Sequence, residues 1–219
     1  IMKRLFIALG VSIFIASSCT ITQKFDFNED FSGTYMLEID MSSMMSLMGD
    51  EMAGEDSTAE ESSDEEKDME ELVENLKGMD GISDVVYEND EKMGRYMISY
   101  KFRDIDVLNL SMATAGMTKD MARDDHIFFT QKGSKLIYTI PNLNEGDDAP
   151  TADLAGMDDM MMDMMKYKLE FSFAGGVKKA KSKQLKKSLK TGDKDVRWHA
   201  NFKEVMELEG ETVITIQPK

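Results

Sequence analysis

The side chains able to do chemistry in this chain are thioethers, carboxylates and one thiol. Of its 219 residues 21 are methionine, and two groups of them fall three and four apart, at Met41, Met44, Met45, Met48 and Met52 and again from Met157 to Met165. That spacing is one face of a short helix, and three chemistries fit it. Met is unbranched and fills irregular cores; two such stripes can also line an adaptable apolar groove for an acyl chain or a partner helix. Thioethers are, in addition, soft ligands suited to Cu(I). Both histidines, His126 and His199, lie outside the two groups, which weakens the copper chemistry. The lining expected for an apolar-ligand groove is Met44, Met48, Met161 and Met165, with no metal, cofactor or catalytic residue assigned. The acidic run Asp50 to Asp68 could offer oxygens to Ca²⁺, but it lacks the glycine and terminal glutamate of an EF-hand loop in register. A solvated, self-repelling loop is the expectation there. No nucleophile elbow, zinc helix or phosphate loop occurs, and His199 beside Trp198 reads as structural, so no enzyme is expected.

The thiol is Cys19, the one cysteine of the chain. Before it stand a cationic Lys3 and Arg4, an apolar stretch from Leu5 to Ile15, and the small residues Ala16, Ser17 and Ser18, the layout of an export signal. As a helix the apolar stretch reaches only about 17 Å, short of the roughly 30 Å hydrocarbon core of a bilayer. Ala16 to Cys19 resembles a bacterial lipobox, with Ala16 where leucine is commoner. The resemblance implies thioether-linked diacylglycerol on Cys19, cleavage after residue 18 and an acylated, palmitate-bearing N-terminus. Two or three acyl chains anchor stably where one is marginal. Thr20 to Lys24 contains no acid of the kind that directs surface export, so the expected place is the outer membrane, facing the periplasm.

Loss of Lys3 and Arg4 with the signal makes the mature chain more acidic than the −16 of the whole sequence. Such a charge disfavours nucleic acid as a partner. With one cysteine no intramolecular disulfide is available, and hydrophobic packing must hold the fold.

The elements that must position these groups are mostly strands. Tyr35, Leu37, Ile39 and Met41 alternate with polar residues, as do Tyr96 to Phe102, Tyr167 to Phe173 and Val196 to Phe202. Hairpins are expected over 23–29 with 34–41, 84–87 with 93–102, and 126–131 with 135–140, and a last strand over 212–216. Helices are expected over 66–77 and 156–165, with 104–112 favouring helix. The domain layout is a signal over 1–18, a hairpin and Met-rich segment over 19–49, an acidic disordered loop over 50–68 and the rest of one domain over 69–219. Seven to nine strands with three helices make an α+β domain, an antiparallel sheet covered on one face. The basic run Val177 to Lys190 could meet phosphate headgroups, pair with the acidic run, or sit solvated.

The frame Phe25 to Tyr35 close after the lipobox, with a late Val196, Arg197 and Trp198, is similar to the LppM-like family of bacterial lipoproteins. The acidic run and the two Met segments depart from that pattern. The resemblance implies a strongly curved sheet around an apolar, lipid-accepting cavity and supplies no catalytic residue. The functional expectation is a membrane-anchored, non-enzymatic protein holding an apolar ligand or lipid between sheet and Met-rich helices. The alternatives are an interaction or structural module of an envelope protein complex, and a copper-handling protein.

Overall fold

The structure is a computed structural model that describes residues 19–43, 45, 61–90, 92–114, 127–140, 159–185 and 188–219. Eleven strands and four helices are described. The strands form two open sheets. The larger has the order β3 (Ile82–Asp90), β4 (Arg95–Phe102), β2 (Gly33–Asp40), β1 (Thr20–Phe27), β7 (Lys166–Phe173), β10 (Asp195–Asn201), β9 (Lys190–Thr191). The smaller has the order β5 (Phe129–Lys132), β6 (Lys135–Ile140), β11 (Thr212–Pro218), β8 (Val177–Ser182).

The α+β class agrees with the sequence expectation, and two finer points are corrected. First, the larger sheet is mixed, because β1 and β7 pair in parallel from Thr20↔Lys166 to Phe27↔Phe173. Strand alternation is the same in either direction, so periodicity cannot tell the two apart. Second, neither sheet closes or curls strongly. The apolar face of the larger sheet is covered mainly by a second sheet, whose own alternation at Leu136, Tyr138 and Ile140 and at Thr212, Ile214 and Ile216 turns buried residues toward it.

Register arranges the inner face of the larger sheet as cross-strand rungs. From the end where Cys19 enters, the first is Tyr96–Ile39–Ile21–Tyr167–Ala200 and the second Ile98–Leu37–Gln23–Leu169–Trp198. The third is Tyr100–Tyr35–Phe25–Phe171–Val196, and the fourth brings Phe102, Gly33, Phe27 and Phe173 together. Gly33 is there for space: a Cβ on it would collide with the carbonyl oxygen of Asp26 across the β1–β2 pair. Phe129 and Tyr138 of the smaller sheet pack on Phe25 with ring centroids 4.9 and 5.8 Å away, which clamps the two sheets at the third rung.

Helix α1 (Glu61–Gly78) buries Leu72, Val73 and Leu76 against the same core, and it starts at Glu61 rather than 66, inside the stretch expected to be disordered. Glutamate is a good helix former, so the acids there extend the helix. Helix α2 (Ile105–Thr114) is capped by Asp104, whose Oδ1 accepts from Val107 N at 2.9 Å. Asn109 on α2 is bonded twice to the backbone of Phe129, each at 2.8 Å, and Tyr100 reaches Ser111 at 2.9 Å. These bonds join α2 to both sheets. Helix α3 (Asp159–Met164) leads into β7, and α4 (Phe202–Met206) follows β10 where the sequence suggested continuing strand. The signal that was available is Asn201 with Glu204, a reciprocal capping box.

Burial holds the phenols of Tyr35, Tyr100, Tyr138 and Tyr167 above their ordinary pKa. A raised phenol is neutral in the fold, so its contribution is intact below about pH 10, where phenols ionise in the unfolded chain, and falls as pH rises beyond it. Phenolate absorbance from these four side chains is therefore expected to appear together with loss of the circular dichroism of the fold. Ionisation of all tyrosines before unfolding would contradict the packing.

Candidate apolar site at the Cys19 end of the sheet

The inner face is graded from end to end. Phe25, Phe27, Phe171 and Phe173, in the third and fourth rungs, are at most 3% exposed. In the first rung Tyr96, Ile39, Ile21 and Tyr167 are only half-buried. An apolar row that reaches solvent at one end of a sheet is a place where an apolar body can dock.

Topology brings several of the described sulfur residues to this same end. Cys19 directly precedes β1, and its carbonyl accepts from Lys166 N at 2.7 Å. Met165, half-buried, ends the α3 segment, and its carbonyl accepts from Phe202 N at 2.8 Å. Met41 follows β2 and donates its N–H to Gly94 O at 2.8 Å, while Met45 N returns to Met41 O at 3.0 Å. A Cβ on Gly94 would run into the Met45 sulfur, so the side chain lies over the β3–β4 turn. Met45 and Met93 are 45% and 55% exposed, among the large apolar side chains that the fold leaves in water.

Of the four methionines expected to line a groove, Met165 is at the rim. Met44 and Met48 lie outside the described residues; Met161 lies on α3, and its side chain is not among those described. At the same end as Met165 lies the half-buried row Ile21, Ile39, Tyr96 and Tyr167, which the sequence expectation did not name. A signal existed in the alternation of Ile21, Gln23, Phe25 and Phe27, where one polar residue interrupts an apolar face.

At this end the charges stand at the rim, where Arg95 and Lys168 lie near Asp40. In the first two rungs no inward-facing residue carries a charge. At the rim, Asp40 accepts from the Ser42 hydroxyl and N–H at 2.5 and 3.0 Å, which holds its carboxyl below the usual range and keeps it ionised. Burial first and the Asp40 charge second push the Cys19 thiol up, so in the fold it is protonated and a poor nucleophile at neutral pH. The Tyr138 and Tyr167 hydroxyls share a hydrogen bond across the two sheets.

Elsewhere several of the charged groups are paired. His199, exposed on the outer face, meets Glu170 at 3.1 Å. A hollow of about 360 Å³ at the far end holds Lys101 and Arg103, but these pair with Asp84 at 2.6 Å and Asp80 at 3.0 Å. On the smaller sheet, Lys135, Lys179 and Lys181 surround a hollow of about 130 Å³ with Thr215 and Gln217, and they make no ion pair among the described residues. No cluster of metal-ligating side chains occurs among the described residues, and no described helix is long and apolar enough to cross a membrane.

No protein-family model matches the chain, and no curated protein does. Among solved structures, the chain is similar to the NMR structure of the folded domain of LppM from Mycobacterium tuberculosis, at 7% identity and a TM-score of 0.45, over 92% of this chain and 91% of that one.

Proposed function

We propose that this chain is a lipid-anchored protein of the bacterial cell envelope that works without catalysis, holding an apolar ligand or lipid at the Cys19 end of its larger sheet. The observation that carries this reading is one of placement. The half-exposed rung of Tyr96, Ile39, Ile21 and Tyr167, the exposed Met45 and Met93, and the half-buried Met165 all lie beside the residue that would bear the acyl chains. An anchor at Cys19 turns this end toward the bilayer, so an apolar molecule could pass between membrane and protein with little exposure to water. Outer-membrane attachment facing the periplasm goes with the acid-free Thr20 to Lys24.

The test is native mass spectrometry of residues 20–219 recovered from a bacterial periplasm, followed by organic extraction. A reproducible lipid or acyl adduct is expected, and Met45→Asp with Met165→Asp should abolish its retention while far-ultraviolet circular dichroism stays unchanged. Full retention in that variant would refute the placement. An adduct-free mass would favour a second reading, an interaction module docking through Lys135, Lys179 and Lys181, the cationic hollow of an otherwise acidic chain. A copper adduct would instead assign the thioethers as ligands.

A further inference from the structure

The outer face of the smaller sheet gathers cations without acids. Lys179 and Lys181 of β8 stand opposite Gln217 and Thr215 of β11, and Lys135 of β6 completes the ring around the hollow of about 130 Å³. Lys132 of β5 lies directly opposite Lys135 and adds a fourth ammonium to this face. Thr130, Ile137 and Val213, which the register places on the same face, are uncharged, and the first acid back along β11 is Glu211, before the strand begins. None of the four lysines makes an ion pair among the described residues. Like charges side by side on a sheet repel, and they do so here in a chain of net charge −16. Lysine on an edge strand guards against aggregation, and β8 is an edge. That accounts for Lys179 and Lys181 but not for Lys135, which lies on an inner strand.

The ammonium groups, the threonine hydroxyl and the glutamine amide can all donate hydrogen bonds, so five donor side chains line one hollow. Its volume is that of about four waters, room for one tetrahedral oxyanion. Ammonium groups bind phosphate as point charges, and three of them suit a dianion. We propose that this hollow binds the phosphate of a phosphomonoester: Lys135, Lys179 and Lys181 supply the charge, and the Thr215 hydroxyl and the Gln217 amide donate to its oxygens. The site is separate from the apolar end. Gln217 stands two residues before Lys219, whose N–H donates to Gly176 O at 3.0 Å, in the turn that follows Phe173 of the fourth rung. That rung is about 20 Å along the sheet from the first, six residues of strand at about 3.3 Å each. An anchor on Cys19 would enter its bilayer from the opposite end, so the position favours a phosphate carried by a soluble molecule over the headgroups of that bilayer. The inference holds whether or not an apolar ligand occupies the Cys19 end.

The full chain is titrated calorimetrically, at fixed ionic strength and neutral pH, with glycerol phosphate, a dianionic monoester, and with dimethyl phosphate, a monoanion. Glycerol phosphate is expected to bind severalfold more tightly. Lys179 and Lys181 are exposed, so replacing both with Ala should leave the fold intact while weakening binding by about tenfold, two contacts of about threefold each. Lys179→Arg with Lys181→Arg should keep it. No binding of glycerol phosphate by the native chain, or unchanged binding in the alanine variant, would overturn the inference, and equal binding of the two esters would overturn the monoester. Vesicles of phosphatidylcholine with and without phosphatidic acid, whose head is itself a phosphomonoester, separate the sources. Added retention on phosphatidic acid that the alanine variant loses would give the phosphate to a lipid surface and overturn the soluble source. Binding of a glutamate-rich peptide without binding of either ester would overturn the phosphate and assign the face to an acidic protein partner.

Discussion

Phe25→Ala is expected to remove about 3–5 kcal/mol of stability, a large share of the roughly 5–15 kcal/mol that a domain possesses. Phe25 is 0% exposed and its ring lies within 6.3 Å, centroid to centroid, of Phe27, Tyr35, Phe129, Tyr138 and Phe171. Those five rings come from β1, β2 and β7 of the larger sheet and β5 and β6 of the smaller. Truncation therefore opens a cavity where the two layers are held together, and rigid strands on both sides keep it from collapsing. Urea unfolding followed by circular dichroism measures the loss. A decrease below about 1 kcal/mol would mean that the sheets are clamped elsewhere. Phe25→Leu, which keeps much of the volume, should cost clearly less.

Cys19→Ala should have the largest effect on where the protein is found. Each acyl methylene buried in a bilayer contributes about 0.8 kcal/mol, so on the acylation proposed above the loss of Cys19 turns stable attachment into none. The variant should carry no fatty-acid label, and it should be recovered either with its signal uncleaved or in the soluble fraction. Label on the variant would refute acylation at Cys19. The fold should survive this change: the tie that Cys19 makes to β7 is through its backbone carbonyl, and Ala keeps most of the small side chain that is buried there.

The strands were largely legible because alternation is written locally. Tyr35, Leu37 and Ile39, or Leu169, Phe171 and Phe173, announce a half-buried face whatever the partner strand is. What stayed hidden was long-range. Nothing in Ile21 to Phe27 says that its second neighbour is Tyr167 to Phe173, or that it runs parallel to it. The division into two sheets was equally silent, since Leu136 to Ile140 reads the same as an added strand or as a covering layer. The site shows the same split. Sulfur content drew attention to the methionines, whereas the row formed by Ile21, Ile39, Tyr96 and Tyr167 exists only once four separate segments are in register.

The central position of β1 also sets an order of events during folding. This strand is synthesised before the other described strands, and β2, β4 and β3 can join it as an antiparallel meander soon after. Its other flank waits for β7, and the closure of so long a loop makes that pairing the slow step. Throughout the wait, the backbone of Thr20 to Phe27 presents an open strand edge with Ile21, Phe25 and Phe27 uncovered, the surface that recruits a second chain or an aggregate. The interval between the arrival of β1 and that of β7 is when this protein most needs a chaperone.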